Sequence, residues 1–158
     1  MKQKISIRPF EDTDRQLMVT WLYQDYVKKW LIHPENWLAE IDQRHDKFNW
    51  VHHYIVMLGD QPIGFCQYYD CYQAKDLEEW TEVQEPNKIF SIDYLIGEAE
   101  YIGQGYGKQI VQELVQIIQQ QEKEAEEIIV EPDPQNFASI EVLEANGFVF
   151  DRYYRKKL

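Results

Sequence analysis

The sequence predicts a mixed α/β fold that forms a single domain over residues 1–158. Residues 89–96 form a β-branched and aromatic run, which is typical of a buried strand, and apolar residues then recur at helical spacing from Ile110 to Ile118. Two further strands are predicted over residues 50–58 and 62–72, on either side of a turn. A chain of 158 residues with 44% hydrophobic content is long enough to bury one sizeable core.

The first part of the chain predicts one strand and two helices. Residues 4–9 alternate Ile5 and Ile7 with polar neighbours, which indicates a strand. Asp12 or Thr13 is expected to cap the helix that follows. The apolar stripe of that helix is Leu17, Met18, Trp21 and Leu22. A second short helix is expected over about residues 35–44.

The last part of the chain predicts a strand, a helix and a final strand. The strand covers residues 128–131, the helix covers residues 134–145 and ends at Gly147, and the final strand covers residues 148–154. Cys66 and Cys71 have an odd spacing on one strand, so their side chains point to opposite faces and a mutual disulfide is not expected. Their spacing also lacks a metal-ligand pattern, and no metal site is predicted.

The charge and hydropathy of the chain exclude some classes of partner. A net charge of −12 argues against nucleic acid, whose phosphates it would repel. The same charge would attract a polycationic substrate, although it could equally serve only to keep the protein soluble. No segment approaches the ~18 apolar residues of a membrane span, and no signal peptide precedes the first strand. We therefore expect a cytoplasmic protein with no membrane partner.

A glycine-rich loop joins the predicted strand at residues 89–96 to the helix that follows it. It is formed by Ile102, Gly103, Gln104, Gly105, Tyr106, Gly107 and Lys108. Backbone N–H groups of such a loop can approach a ligand closely, and a helix N-terminus attracts anions, so the pattern suits a phosphate or pyrophosphate. The loop fits neither the Walker pattern nor the dinucleotide fingerprint. The alternative is a tight strand-to-helix turn that binds no ligand.

Two motifs of the chain resemble those of the GNAT family of N-acetyltransferases. Gly105 and Gly107 match the two glycines of its coenzyme A loop, although Ile102 departs from the usual Gln or Arg. Residues 136–148 resemble the family's Asn-x-x-(Ala/Ser)-Ile-x-x-Tyr-x-x-x-Gly-Phe segment at the expected distance. The pattern is most similar to that of the aminoglycoside 6′-N-acetyltransferases, and the resemblance covers residues 54–148 well.

The resemblance implies a central, mostly antiparallel sheet flanked by helices. The strands on either side of the glycine-loop helix would run parallel and splay apart to admit acetyl-CoA, the co-substrate. Backbone N–H groups near Leu95 and Ile96 would polarise the thioester carbonyl. The residues expected to bind acetyl-CoA are Leu95, Ile96, Ile102, Gly103, Gln104, Gly105, Tyr106, Gly107, Lys108 and Asn136.

Asp93 is the candidate catalytic residue. It interrupts an apolar strand beside the cofactor loop, and a buried carboxylate is costly unless it is paired or used. It matches the acid that holds the reacting ammonium and helps to remove its proton in the enzymes that the chain resembles. The alternative is a structural carboxylate bonded to the backbone or to an arginine.

The acceptor predicted from the resemblance is a cationic amine. Acidic residues are dense over residues 76–85, where the resembling enzymes fold an acidic loop over a cationic sugar, but such a run is also typical of a solvated loop. Glu131 and Asp133 could face the substrate or could be helix N-terminal charges. The candidate substrate-binding residues are Glu79, Trp80, Glu82, Asp93, Glu131 and Asp133. Tyr23, Tyr26, Trp30 and Trp37 would form one wall of this site or belong to an ordinary core.

One departure from the family concerns the proton that the leaving thiolate takes up. Many members have Tyr at the position of Leu143, and a leucine donates no proton. Tyr106, Tyr153, Tyr154 or water could take its place. Three functions remain open: acetylation of a polycationic small molecule such as an aminoglycoside; acetylation of a protein N-terminus, polyamine or siderophore amine; or non-enzymatic acyl-CoA binding. Either a monomer or a homodimer is compatible with the sequence.

Overall fold

A computed structural model describes residues 3–77, 80 and 83–158. Over these residues the chain forms seven strands, five α-helices and two short 3-10 turns. The strands are β1 Ser6–Pro9, β2 Val51–Leu58, β3 Gln61–Asp70, β4 Ile89–Ile96, β5 Glu127–Val130, β6 Val149–Phe150 and β7 Tyr154–Lys157. The helices are α1 Arg15–Leu22, α2 Asp25–Lys28, α3 Pro34–Asp42, α4 Tyr106–Gln121 and α5 Phe137–Ala145.

The described strands form one sheet in the order β1-β2-β3-β4-β5-β7-β6. Every neighbouring pair is antiparallel except β4 and β5, which run parallel because α4 connects them. The predicted mixed α/β fold with a mostly antiparallel sheet is therefore confirmed. None of the helices in the described residues is both long and apolar enough to cross a membrane.

Helices cover both faces of the sheet. On one face α4 packs Ile110, Val111 and Leu114 against the apolar residues of β2, β3 and β4. On the other face α1 and α3 pack onto a cluster that includes Phe65 and Leu95. Alternate residues of β4 thus face different helices, since side chains of a strand alternate between its two sides.

Two predicted elements differ from the structure. Neither Asp12 nor Thr13 caps the first helix through its side chain; instead Asp14 accepts a hydrogen bond from the backbone N–H of Glu11 and pairs with Arg8 at 2.8 Å. The predicted final strand over residues 148–154 is split into β6 and β7. Asp151 accepts the backbone N–H of Tyr153 at 3.2 Å and so closes a turn within the predicted strand.

The other predicted elements lie within a few residues of the observed ones. The helix predicted from residue 134 begins at Phe137, because the Asn136 side chain caps it by accepting the N–H of Ser139 at 3.2 Å. Cys66 and Cys71 are buried free thiols that belong to different hydrophobic clusters, which agrees with the prediction that they do not pair.

Candidate active site

The parallel pair β4 and β5 separates soon after it begins. Paired residues are Ile89 with Glu127 and Phe90 with Ile128, and β4 then continues to Ile96 along β3 alone. A wedge therefore opens between the two strands, flanked by the N-terminus of α4 and by α5. A groove of about 710 Å³ follows this wedge.

The glycine-rich loop forms one end of this groove. Gly103 and Gly105 adopt positive φ angles of 76° and 87°, and Gly105 is the N-cap of α4. A Cβ at Gly107 would lie 3.2 Å from the Val142 Cγ2 atom, so the absence of a side chain allows α4 and α5 to approach each other. Backbone N–H groups at the start of the 16-residue helix α4 thus border the groove, which fits the pyrophosphate of coenzyme A.

Residues of α1, α2 and the turn between them contact the C-terminal end of β4. The Tyr26 hydroxyl donates to the carbonyl oxygens of Ile96 at 3.0 Å and Gly97 at 2.8 Å, and the Gln24 side chain also donates to Gly97. A Cβ at Gly97 would lie 2.1 Å from the Trp21 ring, so only glycine allows this close packing. These contacts fix the end of β4 that does not pair with β5.

A second cavity, of about 570 Å³, lies near the point where β4 and β5 separate. We call it the acceptor cavity. Within the described part of the chain, three of its lining residues are carboxylates and one is a lysine: Glu40, Asp93, Glu131 and Lys47. The aromatic rings that line it include those of Trp37, Phe48, Trp50, Tyr69 and Trp80. An acidic, aromatic-walled cavity is suited to an organic cation.

Asp93 and its neighbour Tyr94 line different cavities. The Asp93 side chain lines the acceptor cavity, whereas the next residue, Tyr94, lines the groove, because successive strand residues point to opposite faces. Asp93 is only half-buried, in contrast to the fully buried carboxylate that its apolar neighbours suggested. Its Oδ2 atom accepts a hydrogen bond of 2.9 Å from the Gln67 side chain, which lies directly opposite on β3.

The comparisons with known proteins agree with this geometry. The family model of the GNAT acetyltransferase domain matches residues 11–155. The chain belongs to the GNAT acetyltransferase family. As a GNAT acetyltransferase it is an acetyl-CoA-dependent enzyme, and this sets aside the alternative of a non-enzymatic acyl-CoA module.

Curated relatives of this GNAT chain include an aminoglycoside N(6′)-acetyltransferase type 1 from Klebsiella pneumoniae. The two sequences are 27% identical over 150 residues, which is 91% of this chain and 73% of the relative. Among solved structures, aminoglycoside acetyltransferase AAC(6′)-Ib with coenzyme A and kanamycin gives a TM-score of 0.84 at 25% identity. That match covers 98% of this chain and 95% of the other. The AAC(6′)-Ib complex with ribostamycin and coenzyme A gives a TM-score of 0.81 at 26% identity, over 94% and 84% of the two chains.

Most of the residues predicted to bind acetyl-CoA line the groove of this GNAT fold. They are Leu95, Ile96, Ile102, Gly103, Gly105, Gly107, Lys108 and Asn136. Two others do not line it: the Gln104 side chain donates to the Glu100 carbonyl at 2.6 Å, and Tyr106 is buried with its ring against Tyr101. Both were predicted from the loop motif, which identifies the backbone of a loop but not the direction of its side chains.

The pairing of β4 with β3 distinguishes the two predicted polarising amides. The Gly97 N–H donates to the Ile63 carbonyl at one end of the β3–β4 ladder, and the Cys71 N–H donates to the Ile89 carbonyl at the other end. The register between them is unbroken. Hydrogen-bonded pairs alternate along such a ladder, so the Leu95 amide faces β3 and the Ile96 amide faces the wedge. Ile96 is therefore positioned to meet a ligand in the groove, whereas the Leu95 amide is used within the sheet.

The predicted substrate-binding residues divide in a similar way. Trp80, Asp93 and Glu131 line the acceptor cavity. Asp133 does not line it; its side chain accepts the Gln135 N–H at 2.9 Å in the turn before α5. Glu79 and Glu82 lie outside the described residues.

The aromatic residues of the first helices contribute to both cavities rather than to one wall. Trp37 lines the acceptor cavity, whereas Tyr26 and Trp30 line the groove. Tyr23 is 50% exposed and lines neither of them. Of the four aromatic residues predicted to form one wall of the acceptor site, only Trp37 lines the acceptor cavity.

Several cavity residues were missed by the sequence analysis, among them Glu40, Lys47, Gln67 and Ser91. Gln67 had a usable signal, because it interrupts the apolar strand β3 as Asp93 interrupts β4, and it is only 3% exposed. The register that places the two side by side is a long-range property. Glu40 and Lys47 had no signal beyond being polar residues near a helix end.

Proposed function

We propose that this GNAT enzyme transfers the acetyl group of acetyl-CoA to the 6′-amine of an aminoglycoside. The observation that carries the proposal is that Asp93 lines an acidic, aromatic-walled cavity while the next residue, Tyr94, lines the cofactor groove. The named complexes of relatives with kanamycin and ribostamycin support this substrate class.

Recognition of the substrate would begin with charge. The chain has a net charge of −12, and among the described residues three carboxylates and one amine, that of Lys47, line the acceptor cavity. Such a site concentrates a polycation and speeds its encounter with the enzyme. The rings of Trp37, Trp50 and Trp80 would provide faces for the sugar and for its ammonium groups.

The chemistry requires a neutral amine, because an ammonium has no lone pair with which to attack the thioester. Asp93 would hold the reacting ammonium and take up its proton, directly or through water. The amine nitrogen would then bond to the thioester carbon, and the Ile96 N–H would hydrogen-bond to the carbonyl oxygen as its negative charge develops. The nitrogen then gives up its second proton to solvent, and when the tetrahedral intermediate collapses, the C–S bond breaks and its electron pair leaves on sulfur. Binding both substrates beside Asp93 supplies proximity and orientation.

A pair of aminoglycosides that differ only by a 6′-amine or a 6′-hydroxyl tests the proposal. We expect coenzyme A release only with the 6′-amine, and mass spectrometry together with NMR should locate the new acetyl group on that nitrogen. The acceptor KM should rise with salt, since the Debye length falls to about 10 Å at 0.1 M. Spermidine and a peptide N-terminus serve as competing acceptors. A higher kcat/KM for either of them, or equal release with the 6′-hydroxyl compound, would assign another substrate.

A further inference from the structure

The enzyme needs a proton for the departing thiolate, and the family position for its donor does not supply one. Leu143 occupies that position; it is fully buried in the hydrophobic cluster beneath the groove. Its side chain donates no hydrogen bond. Any protein group that protonates the sulfur must therefore come from elsewhere in the groove.

The tyrosines named from the sequence as substitutes do not line the groove. Tyr106 is buried against Tyr101, and Tyr153 is buried against the Trp80 ring at a centroid distance of 5.3 Å, in the cluster beside the acceptor cavity. Tyr154 packs on the exposed Phe150 at the edge of the sheet. None of these three tyrosines is among the residues that line the groove.

Among the described residues, the tyrosines that line the groove are Tyr26 and Tyr94. The Tyr26 hydroxyl already donates to the carbonyl oxygens at the end of β4. The Tyr94 hydroxyl lies 3.1 Å from the Ser139 Oγ atom, and either group can be the donor. Its proton is therefore available to a ligand while the serine hydroxyl takes over as donor.

The position of Tyr94 suits the sulfur of coenzyme A. Tyr94 lies on the part of β4 that β5 leaves unpaired, so its ring extends from β4 to α5 across the wedge. Ser139 is four residues before Leu143, so the Tyr94 hydroxyl meets the same face of α5 one turn earlier. Asp93, which we propose to take up the proton of the amine, is its neighbour in sequence. The two side chains thus project from opposite faces of the unpaired part of β4.

We propose that Tyr94 is the general acid that protonates the thiolate of coenzyme A, with Ser139 relaying the replacement proton. When the C–S bond of the tetrahedral intermediate breaks, its electron pair goes to sulfur and the sulfur takes the proton of the Tyr94 hydroxyl. Ser139 then donates to the tyrosinate and is reprotonated by solvent. The amine nitrogen loses two protons, the first through Asp93 before it attacks and the second to solvent from the tetrahedral intermediate. Solvent returns one proton through Ser139, so one proton is released for each acetyl group transferred and the step balances.

The electrostatic environment keeps this donor protonated. Burial raises the pKa of Tyr94 above its usual value of about 10, and the hydrogen bond from Ser139 offsets part of that rise. The hydroxyl therefore carries its proton throughout the neutral range. The assignment concerns the coenzyme A side of the reaction and holds for any acceptor amine that the enzyme accepts.

The test uses Tyr94→Phe, which removes the hydroxyl and retains the ring, and it measures acetyl transfer in a single turnover with saturating amine. We expect the transfer rate constant to fall about 100-fold, the lower end of the usual contribution of a general acid. The dissociation constant of acetyl-CoA should change less than about twofold, which corresponds to roughly 0.4 kcal/mol. Ser139→Ala should give a smaller loss, since water can replace the relay.

A change of leaving group separates a proton donor from a structural residue. The acetyl ester of the selenium analogue of coenzyme A releases a more acidic selenol, which needs no proton to depart. The Tyr94→Phe defect should largely disappear with this donor. Tyr26→Phe, a matched change in the same groove, should affect both acetyl donors equally. A Tyr94→Phe enzyme that keeps more than about a third of the wild-type rate, or that loses equal activity with the two donors, overturns the assignment.

Discussion

The Gln67 side-chain amide donates a hydrogen bond of 2.9 Å to the Oδ2 atom of Asp93, its direct partner across β3 and β4. Gln67 is 3% exposed, and its neighbours in the strand fix its direction. The bond orients the carboxylate toward the acceptor cavity and stabilises its ionised form, since hydrogen bonds to a charged group favour that charge. Gln67 is thus a positioning residue for the proposed base.

Gln67→Met tests this positioning, because methionine has a similar volume and no N–H to donate. We expect kcat to fall about 10-fold, since a small misplacement of a catalytic group is costly. The acidic limb of the kcat/KM profile should move to higher pH, because the carboxylate loses a donor that favours its charged form. Acetyl-CoA affinity should not change. A variant with the wild-type pH profile would show that the bond serves only the packing of the sheet.

Asp93→Asn removes the charge and the proton acceptor but retains an oxygen that can accept the Gln67 hydrogen bond. Loss of a general base typically costs 10²–10⁴-fold, so we expect kcat to fall within that range while the acetyl-CoA dissociation constant stays constant. Asp133→Asn is the matched control, since Asp133 lines neither cavity. The measurement is the steady-state kcat of both variants. An Asp93→Asn enzyme with more than about a tenth of wild-type kcat would contradict a role of Asp93 as the base.

Gly105→Ala tests the cofactor loop. Gly105 lines the groove and has a φ of 87° at the N-cap of α4, where a side chain strains the backbone. We expect the dissociation constant of acetyl-CoA, measured by calorimetry, to rise at least ~10-fold, about 1.4 kcal/mol. The control is Gly59→Ala, at a φ of 62° in the turn between β2 and β3, which carries similar backbone strain away from both cavities. Equal acetyl-CoA affinity in the two variants would count against the loop as the binding site.

Local patterns predicted the parts of the fold that depend on near neighbours. The run of residues 89–118 correctly indicated a strand, a glycine loop and a helix, because each depends on composition and on period within one segment. The break between β6 and β7 was missed because the Asp151 side chain, rather than hydropathy, closes the turn there.

The candidate site could be predicted only where a single residue carried the signal. Asp93 was recognisable as a carboxylate in an apolar strand. Gln67 and Tyr94 acquire their roles from contacts with residues 26 and 45 positions away, Asp93 and Ser139, and such contacts depend on sheet register and helix placement. No pattern within one segment of the sequence contains that information.

A buried histidine gives the fold a sensitivity to acid. His53 is 7% exposed, its ring packs beside Phe65, and neither ring nitrogen has a hydrogen-bond partner among the described residues. Burial is the main cause that lowers the pKa of His53 to about 3, and the nearby positive charge of Arg44 lowers it further. In the unfolded chain the same group titrates near pH 6.5, the usual value for a histidine.

The sign of the pH effect follows from these two pKa values. Between about pH 6.5 and pH 3 the unfolded state binds a proton that the folded state does not, so the free energy of unfolding falls as the pH falls. The loss from this group is about 2 kcal/mol between pH 7 and pH 5. His53→Leu removes the titrating group. Between pH 7 and pH 5, the free energy of unfolding of this variant, measured in urea, should therefore fall by about 2 kcal/mol less than that of the wild type. The exposed His45→Gln variant should follow the wild-type pH dependence. If His53→Leu followed it too, the histidine would have to be protonated in the folded state.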